Sequence, residues 1–289
     1  MAMKSIRAFL KLIRIGPSLF AAVNVLIAGV LAGDLRGFQI EYVAAFFIIF
    51  FTAVGAFAFN DFYDYESDRE NERQDRPLVL GLLSKRIALI AGITAFALVV
   101  LLSFFLNPRA MTLVLVSLPL FYLYSLRLKR ILIVKNMTIA YAYVASIFLG
   151  SLVSDGMLEP LIIYFAVMGF IVGMAFEIML DAGDVEGDRK VGTRTLATRF
   201  GTRTAAKISV VLYAVIMVMD PLPFFISLDV RLFRDFVFLI FILVPVIAYA
   251  FLSWSLMKNQ STEHIQKLGS RTFLIMQVGS AAYLVGVLV

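Results

Sequence analysis

Long apolar segments are the feature that most limits how this 289-residue chain can fold. Hydrophobic residues make up 61% of the chain and charged residues only 16%, with a mean hydropathy of +0.92. Runs such as residues 15–32 and 236–257 are each long enough to cross the hydrocarbon core of a bilayer as a helix. Soluble domains lie far from this composition. The sequence therefore predicts an all-α, multi-pass membrane protein.

We expect nine transmembrane helices in a single bundle, forming one domain over residues 1–289. The predicted spans are about 15–33, 40–60, 87–106, 110–127, 133–153, 159–181, 205–227, 236–257 and 270–289. In the seventh span Pro221 and Pro223 follow Asp220, so this helix is expected to kink or to end early. Residues 224–228 would then lie in the membrane interface.

The basic residues predict the orientation, because Lys and Arg near helix ends stay on the cytoplasmic side. All but four of the 26 lysines and arginines fall on one side of the predicted topology. The four exceptions are Arg36, Arg109, Arg231 and Arg234. The sequence thus predicts a plasma-membrane protein with a cytoplasmic N-terminus and an external C-terminus.

Residue usage excludes several kinds of chemistry. The chain has no cysteine, which excludes disulfides, thiolate catalysis and zinc-thiolate sites. The net charge of +6 follows from the topology, and bases spread over five loops with no soluble binding module do not indicate nucleic-acid binding. The single histidine, His264, is predicted to have a surface role in a loop. No obligate protein partner is inferred.

An acidic motif occurs twice, 120 residues apart. Its members are Asp61, Asp64, Asp68 and Arg69 in the first copy, and Asp181, Asp184, Asp188 and Arg189 in the second. Gly81 and Gly201 align at the same offset. Internal repeats in membrane proteins relate two helix bundles by a symmetry axis. Because both copies fall on one side of the predicted topology, the sequence predicts a parallel pseudo-repeat.

The two motifs are predicted to form one cavity on the cytoplasmic side. Each begins at the end of an apolar helix, and if that helix continues, positions i, i+3 and i+7 share one face. Two such faces, opposite each other, would line a cavity with six aspartates and Asn60. The catalytic loops are placed at about residues 61–86 and 182–204.

Such a cavity requires a cation, since neighbouring carboxylates cannot all ionise without compensation. Oxygen ligands without cysteine select a hard ion such as Mg²⁺, which completes its coordination shell with water and substrate phosphate. Arginine and lysine residues nearby in the sequence suit a diphosphate. The residues therefore predict Mg²⁺-dependent activation of a diphosphate.

The acidic motifs resemble those of the UbiA superfamily of intramembrane prenyltransferases. The resemblance covers the whole chain and includes the RPL segment at residues 76–78, the GxxTLA segment at 192–197, and Tyr124 followed closely by a base. The spacing after Tyr124 leaves that base open between Arg127 and Lys129. Asn136 also looks like a family position.

The resemblance implies a reaction in which a polyprenyl diphosphate ionises and a lipophilic acceptor attacks its first carbon, an alkyl transfer of the EC 2.5.1 type. The implied metal ligands are Asn60, Asp61, Asp64, Asp68, Asp181, Asp184 and Asp188, and the six aspartates among them are also the implied catalytic residues. The implied substrate-binding residues are Asn60, Arg76, Tyr124, Lys129, Asn136 and Lys190. As an alternative, Asp68 and Asp184 would hydrogen-bond cations or the acceptor instead.

The acceptor is open at this point. Within the family, the segment DVEGDRKVGTRTLATRFG favours transfer of a geranylgeranyl-like group to a prenylglyceryl phosphate in ether-lipid synthesis. Aromatic prenyl transfer in quinone or haem biosynthesis is the alternative.

Two other classes of protein compete with this interpretation. A cation-coupled transporter would place charges near the bilayer midplane, whereas these acids lie at helix ends. An alcohol phosphotransferase needs Gly after the second Asp of its motif, where this chain has Tyr65 and Val185.

Overall fold

A computed structural model describes residues 2–70, 73, 76–190 and 192–289, so parts of both predicted catalytic loops lie outside the described residues. The regular elements in these ranges are all helical. In chain order they are α1 (Ala2–Leu12), α2 (Ile15–Ala32), α3 (Ile40–Glu70), α4 (Lys85–Ser103), α5 (Pro108–Leu126), α6 (Val134–Asp155), α7 (Pro160–Gly183), α8 (Val185–Lys190), α9 (Leu196–Phe200), α10 (Thr202–Met219), α11 (Leu222–Phe225), α12 (Phe236–Lys258) and α13 (Thr262–Leu288).

Nine helical segments in the described part of the chain are long and apolar enough to cross a membrane, as predicted. The seventh combines α10 and α11, and α10 ends at Met219, just before the two prolines. Large apolar side chains such as Leu101, Val218 and Ile240 are exposed on the span surfaces. Lipid must cover them, since water would not stabilise so large an apolar surface.

Three features of the helices differ from the prediction. Helix α3 continues to Glu70, ten residues past the predicted end of the span, and the acidic segment is part of this helix. Helix α13 begins at Thr262, and His264 therefore lies on a helix, where its Nε2 is 3.0 Å from Oγ of Ser255. Helix α1 was not predicted, because its short amphipathic sequence has no long apolar run.

The chain divides into two compact units. The first comprises Met1–Gly29, Gly33–Lys129 and Ala145–Met157, and the second comprises Val30–Ala32, Arg130–Val144 and Leu158–Val289. Each unit carries one copy of the acidic motif. The single bundle and the parallel pseudo-repeat stay predictions.

Close packing of α3 against α4 organises the first unit. A Cβ on Gly55 would lie 2.4 Å from the Phe96 ring, and one on Gly92 would lie 2.9 Å from the Phe59 ring. The two rings meet edge to face with centroids 5.2 Å apart. Glycine at both positions lets each helix accept a ring from the other, which fixes the face that α3 presents beyond Phe59.

Helix α7 is the central element of the second unit. Oγ of Ser209 on α10 donates to the carbonyl oxygen of Ala175 on α7. A Cβ on Gly183, the last residue of α7, would lie 2.8 Å from Cγ2 of Ile265 on α13. This contact holds the end of α7, where the second acidic motif begins, close to α13.

Candidate active site

The first acidic motif lies on one continuous helix. Asn60, Asp61, Asp64 and Asp68 all belong to α3, and we call them the first acidic cluster. Asp61 and Asp68 are buried, whereas Asn60 and Asp64 are half-buried. Because the helix continues without a break, the three carboxylates at i, i+3 and i+7 lie along one face.

Arg76 joins two carboxylates of this cluster. Its Nη1 is 3.0 Å from Oδ1 of Asp61, and its Nε is 3.4 Å from Oδ2 of Asp68. The planar guanidinium group suits this bridge, since it presents several N–H donors at fixed angles. Arg76 therefore compensates two charges that lie seven residues, about two helical turns, apart on α3.

The RPL turn holds Arg76 in place. The backbone N–H of Leu80 donates to the carbonyl of Arg76, and Gly81 adopts a φ of 65°, a conformation that favours glycine. Leu78 is buried in a small core with Leu12 and Ala88. This hydrophobic anchor explains why a loop residue can present its side chain in a defined position.

Lys129 contacts the other two members of the cluster. Its Nζ is 2.5 Å from Oδ1 of Asp64 and 3.2 Å from Oδ1 of Asn60. Lys129 lies in a 3₁₀ turn, Leu128–Arg130, directly after α5, whereas Arg127 is exposed. The geometry favours Lys129 over Arg127 as the base that follows Tyr124. Tyr124 itself is half-buried near the end of α5.

Arg14 is a member of this site that sequence reasoning missed. It lies between α1 and α2 with a φ of 44°, and its Nη2 is 3.5 Å from Oδ1 of Asp61. Its guanidinium carbon lies 4.5 Å from the centroid of the Phe57 ring. In the sequence alone, Arg14 is one of the basic residues that predict the topology. Its position directly before the first span is the sequence feature that could have indicated a place near Asp61, at the end of the second span.

The second acidic motif begins at the end of α7. Asp181 is buried and accepts a hydrogen bond from Nδ2 of Asn136 at 2.8 Å. Nζ of Lys135 is 2.5 Å from its other carboxylate oxygen. Sequence reasoning selected Asn136 but not Lys135, its direct neighbour on α6. We call Asp181, Asp184 and Asp188 the second acidic cluster.

The expectation that all three carboxylates of the second motif share one continuous helix face is wrong. Helix α7 ends at Gly183, Asp184 caps it, and a separate helix, α8, carries Asp188. A Cβ on Gly187 would lie 2.6 Å from Oδ1 of Asp184, so the glycine makes room for this carboxylate. Asp184 is consequently exposed, whereas Asp181 and Asp188 are buried.

Asp188 is buried beneath the segment that leads into α9. Thr195 caps α9 through a reciprocal pair of hydrogen bonds with Thr198, and the Thr195 side chain also interacts with Asp188. Burial raises the pKa of Asp188 to about 6, and the nearby carboxylates act in the same direction, against the lowering effect of Lys135. Lys190, by contrast, is exposed at the end of α8.

The residues present fit a bound magnesium ion. In the part of the chain that the structure describes, Oδ2 of Asp188 is buried and has no hydrogen-bond partner. A buried oxygen of this kind is costly unless a donor or a cation compensates it. Both clusters offer only oxygen ligands, which is the set that a hard divalent ion prefers. The neighbouring Asp184 is exposed and adds a second carboxylate.

The sequence of this chain is similar to one family of proteins over most of its length. The model of the UbiA prenyltransferase family matches residues 21–276. A digeranylgeranylglyceryl phosphate synthase from Archaeoglobus fulgidus is 30% identical over 99% of this chain and 98% of its own length. The synthase of that name from Sulfolobus acidocaldarius is 27% identical, covering 96% of this chain and 98% of the relative.

Solved structures share the fold over nearly the whole length. A structure of digeranylgeranylglyceryl phosphate synthase in membranes superposes with a TM-score of 0.76 at 23% identity, covering 98% of both chains. A UbiA homolog from Archaeoglobus fulgidus bound to GPP and Mg²⁺ has a TM-score of 0.70 at 21% identity, covering 96% of this chain and 99% of that one. At these identities the similarity establishes the fold.

Proposed function

This chain belongs to the UbiA prenyltransferase family, and on that premise we propose that it transfers a geranylgeranyl group from its diphosphate to a prenylglyceryl phosphate. The observation that carries the proposal is the pair of acidic clusters, of which the first contacts three basic side chains and the second contacts Lys135. Family membership favours this reaction over the transporter alternative. We further propose that residues 1–289 act as one catalytic domain, with the catalytic loops at about 61–86 and 182–204.

The proposed reaction has three parts. The C–O bond between the prenyl group and the diphosphate breaks and releases diphosphate, a new C–O bond forms to the acceptor hydroxyl, and the proton of that hydroxyl passes to water. Charge develops on the leaving diphosphate, so groups that neutralise it lower the barrier. Bound Mg²⁺ supplies most of this neutralisation when it is present.

The aspartates of both clusters, with Asn60, are the proposed metal ligands. Asp61 and Asp181 are only 3% exposed, and each is held by at least one base, which keeps its carboxylate oriented. Asp188 offers the buried oxygen that lacks a partner among the described residues. Asp64 and Asp68 are oriented by Lys129 and Arg76 respectively.

The proposed phosphate-binding residues are Arg76, Lys129 and Lys190, together with the two bases that the structure adds, Arg14 and Lys135. Four of these five already contact carboxylates of the clusters. They are therefore placed to compensate the charge of the acids when no substrate is bound, and the charge of the phosphate when substrate is bound. Lys190 is exposed at the end of α8 and would move to the phosphate. Tyr124 and Asn136 complete the proposed substrate-binding set.

Relatives support the choice of acceptor. The two synthases described above are named for digeranylgeranylglyceryl phosphate, and they align with this chain over nearly its full length. The product of the proposed reaction is therefore an ether lipid with two geranylgeranyl chains. The distribution of basic residues supports an active site on the cytoplasmic side of the plasma membrane, with the N-terminus on that side and the C-terminus outside.

An acceptor panel tests the proposal. Purified protein in detergent would receive radiolabelled geranylgeranyl diphosphate, Mg²⁺ and one acceptor at a time: geranylgeranylglyceryl phosphate, 4-hydroxybenzoate or haem. We expect an ether product with the first acceptor alone and none when EDTA removes the metal. Product with only an aromatic acceptor or haem would replace the ether-lipid assignment by the alternative. No product with any acceptor, from protein that binds the diphosphate, would contradict the assignment of substrate.

A further inference from the structure

Helix α1 divides into three faces. Its basic residues, Lys4, Arg7 and Lys11, follow the i, i+3, i+7 pattern and are all exposed. A second face carries Ile6, Phe9 and Leu10, whose side chains are 60%, 38% and 40% exposed. An apolar face left open beside a basic one is the pattern of helices that lie in a membrane interface.

The third face of α1 fixes the helix to the first unit. Ala8 and Leu12 are buried, and Leu12 packs with Leu78 of the RPL turn and with Ala88 of α4. The apolar face with Phe9 is not part of this contact. The helix is thus docked by one side while a different apolar side stays uncovered within the described protein.

The connection to α2 places α1 at the membrane boundary. Helix α1 ends at Leu12, and α2, a candidate membrane span, begins at Ile15. Arg14, between them, has a φ of 44°, which turns the chain sharply. With only two residues in the connection, α1 cannot leave the level at which α2 enters the bilayer.

We propose that α1 lies in the headgroup layer of the leaflet that α2 enters, with Ile6, Phe9 and Leu10 in the acyl boundary. Lys4, Arg7 and Lys11 bind the headgroups of anionic lipids there. The charge is complementary, and no acidic residue occurs within α1 to oppose it. Juxtamembrane basic residues of this kind gain about 1 kcal/mol each from an anionic surface, roughly five-fold in a binding constant.

Docking of α1 on anionic lipid also acts on the first acidic cluster. The helix leads directly to Arg14, which contacts Asp61, and Leu12 supports the turn that presents Arg76. Lipid that holds α1 in place therefore keeps both bases on Asp61. This consequence rests on the proposed function, whereas the location of α1 does not.

The absence of cysteine from the sequence allows a direct test of location. Single-cysteine variants Phe9→Cys and Arg7→Cys would carry an environment-sensitive fluorophore in vesicles of phosphatidylcholine mixed equally with phosphatidylglycerol. We expect lipid-borne doxyl groups to quench the label at position 9 and aqueous iodide to quench the label at position 7. Equal iodide quenching at both positions, with no doxyl quenching at position 9, would overturn the proposal.

A charge test identifies the lipid. The variant K4Q/R7Q/K11Q would be compared with K258Q/K267Q/R271Q, which removes the same charge from exposed positions on α12 and α13. All three proteins carry the labelled Phe9→Cys substitution. In the one that is otherwise wild type, replacing phosphatidylglycerol by phosphatidylcholine should shift the position-9 label toward water and lower turnover several-fold. The first variant should lose this response and the second keep it. An identical lipid response in all three proteins would contradict binding of anionic lipid by α1. The fluorescence reports the location of α1 independently of turnover, so it tests this proposal even if the proposed reaction is wrong.

Discussion

Nη1 of Arg76 lies 3.0 Å from Oδ1 of Asp61, and this ion pair joins a loop residue to a buried carboxylate fifteen positions earlier in the chain. The pair is 16% and 3% exposed at the two side chains. Water therefore screens it weakly, and each partner compensates part of the other's charge, beside Arg14 on Asp61 and Asp68 on Arg76. The RPL turn is thus part of the site, because it positions the arginine that pairs with the acidic motif.

Replacing Arg76 by Gln should lower prenyl transfer by about 100-fold, because Asp61 and Asp68 both lose a compensating cation and the diphosphate loses a donor. Arg76→Lys keeps the charge but cannot bridge two carboxylates, so we expect an intermediate loss. Steady-state rates in detergent measure this effect. Arg86→Gln, an exposed arginine of the neighbouring helix α4, is the control and should remain near wild type.

Lys135 and Asp181 should behave as one unit in a double-mutant cycle. Lys135→Met removes the cation from the buried Asp181, which keeps its hydrogen bond from Asn136, and we expect a loss of roughly 3 kcal/mol in the free energy of unfolding. Adding Asp181→Asn should restore part of that loss, because the uncompensated charge is gone. Denaturation in detergent measures all four proteins. Strictly additive losses would show that the two side chains do not interact.

The binding of Mg²⁺ should weaken as the pH falls through 6. The pKa of Asp188 is raised to about 6, so its carboxylate is ionised above that pH and protonated below it. A protonated carboxyl group is a poor ligand for Mg²⁺, which must then displace the proton. Calorimetric titration with Mg²⁺ at pH 5.5, 6.5 and 7.5, without substrate, measures the effect. Asp188→Asn should bind weakly at all three values, and a wild-type affinity independent of pH would refute the assignment.

Thr195→Ala should destabilise the segment that covers Asp188. The change removes the cap of α9, which contributes about 1 kcal/mol in comparable helices, and it removes a polar neighbour of Asp188. We expect faster amide hydrogen exchange in residues 192–200 and weaker Mg²⁺ binding. Thr195→Ser retains the hydroxyl group and is the matched control. Exchange that stays at the wild-type rate in the alanine variant would contradict this role for the cap.

The spans and the acidic clusters could be predicted because each follows from a local pattern. Hydropathy and length determine the spans, and the three-and-four spacing of Asp61, Asp64 and Asp68 matches a helix face. The same reasoning failed at Asp184, since nothing in the spacing shows that α7 ends at Gly183. The close approach of Gly183 to Ile265, far along the chain, is likewise a tertiary contact that the spacing does not show.

The bases of the site were harder to predict than the acids. Arg14 and Lys135 look like topology-determining residues, because a positive charge beside a membrane span has that explanation already. Only the fold shows that they reach Asp61 and Asp181. Helix α1 could have been found, since Ile6, Phe9 and Leu10 alternate with bases at helical spacing, but it is too short to appear as a span.

The central claim is that both acidic clusters are needed for one reaction, and single-turnover transfer with Asp61→Ala and Asp181→Ala tests it most directly. Glu66→Ala and Glu186→Ala remove exposed acids from the same two segments and serve as controls. With saturating Mg²⁺, labelled geranylgeranyl diphosphate and geranylgeranylglyceryl phosphate, we predict that each aspartate variant loses at least about 100-fold in rate, while both controls stay near wild type. Transfer at the wild-type rate by either aspartate variant would contradict the claim.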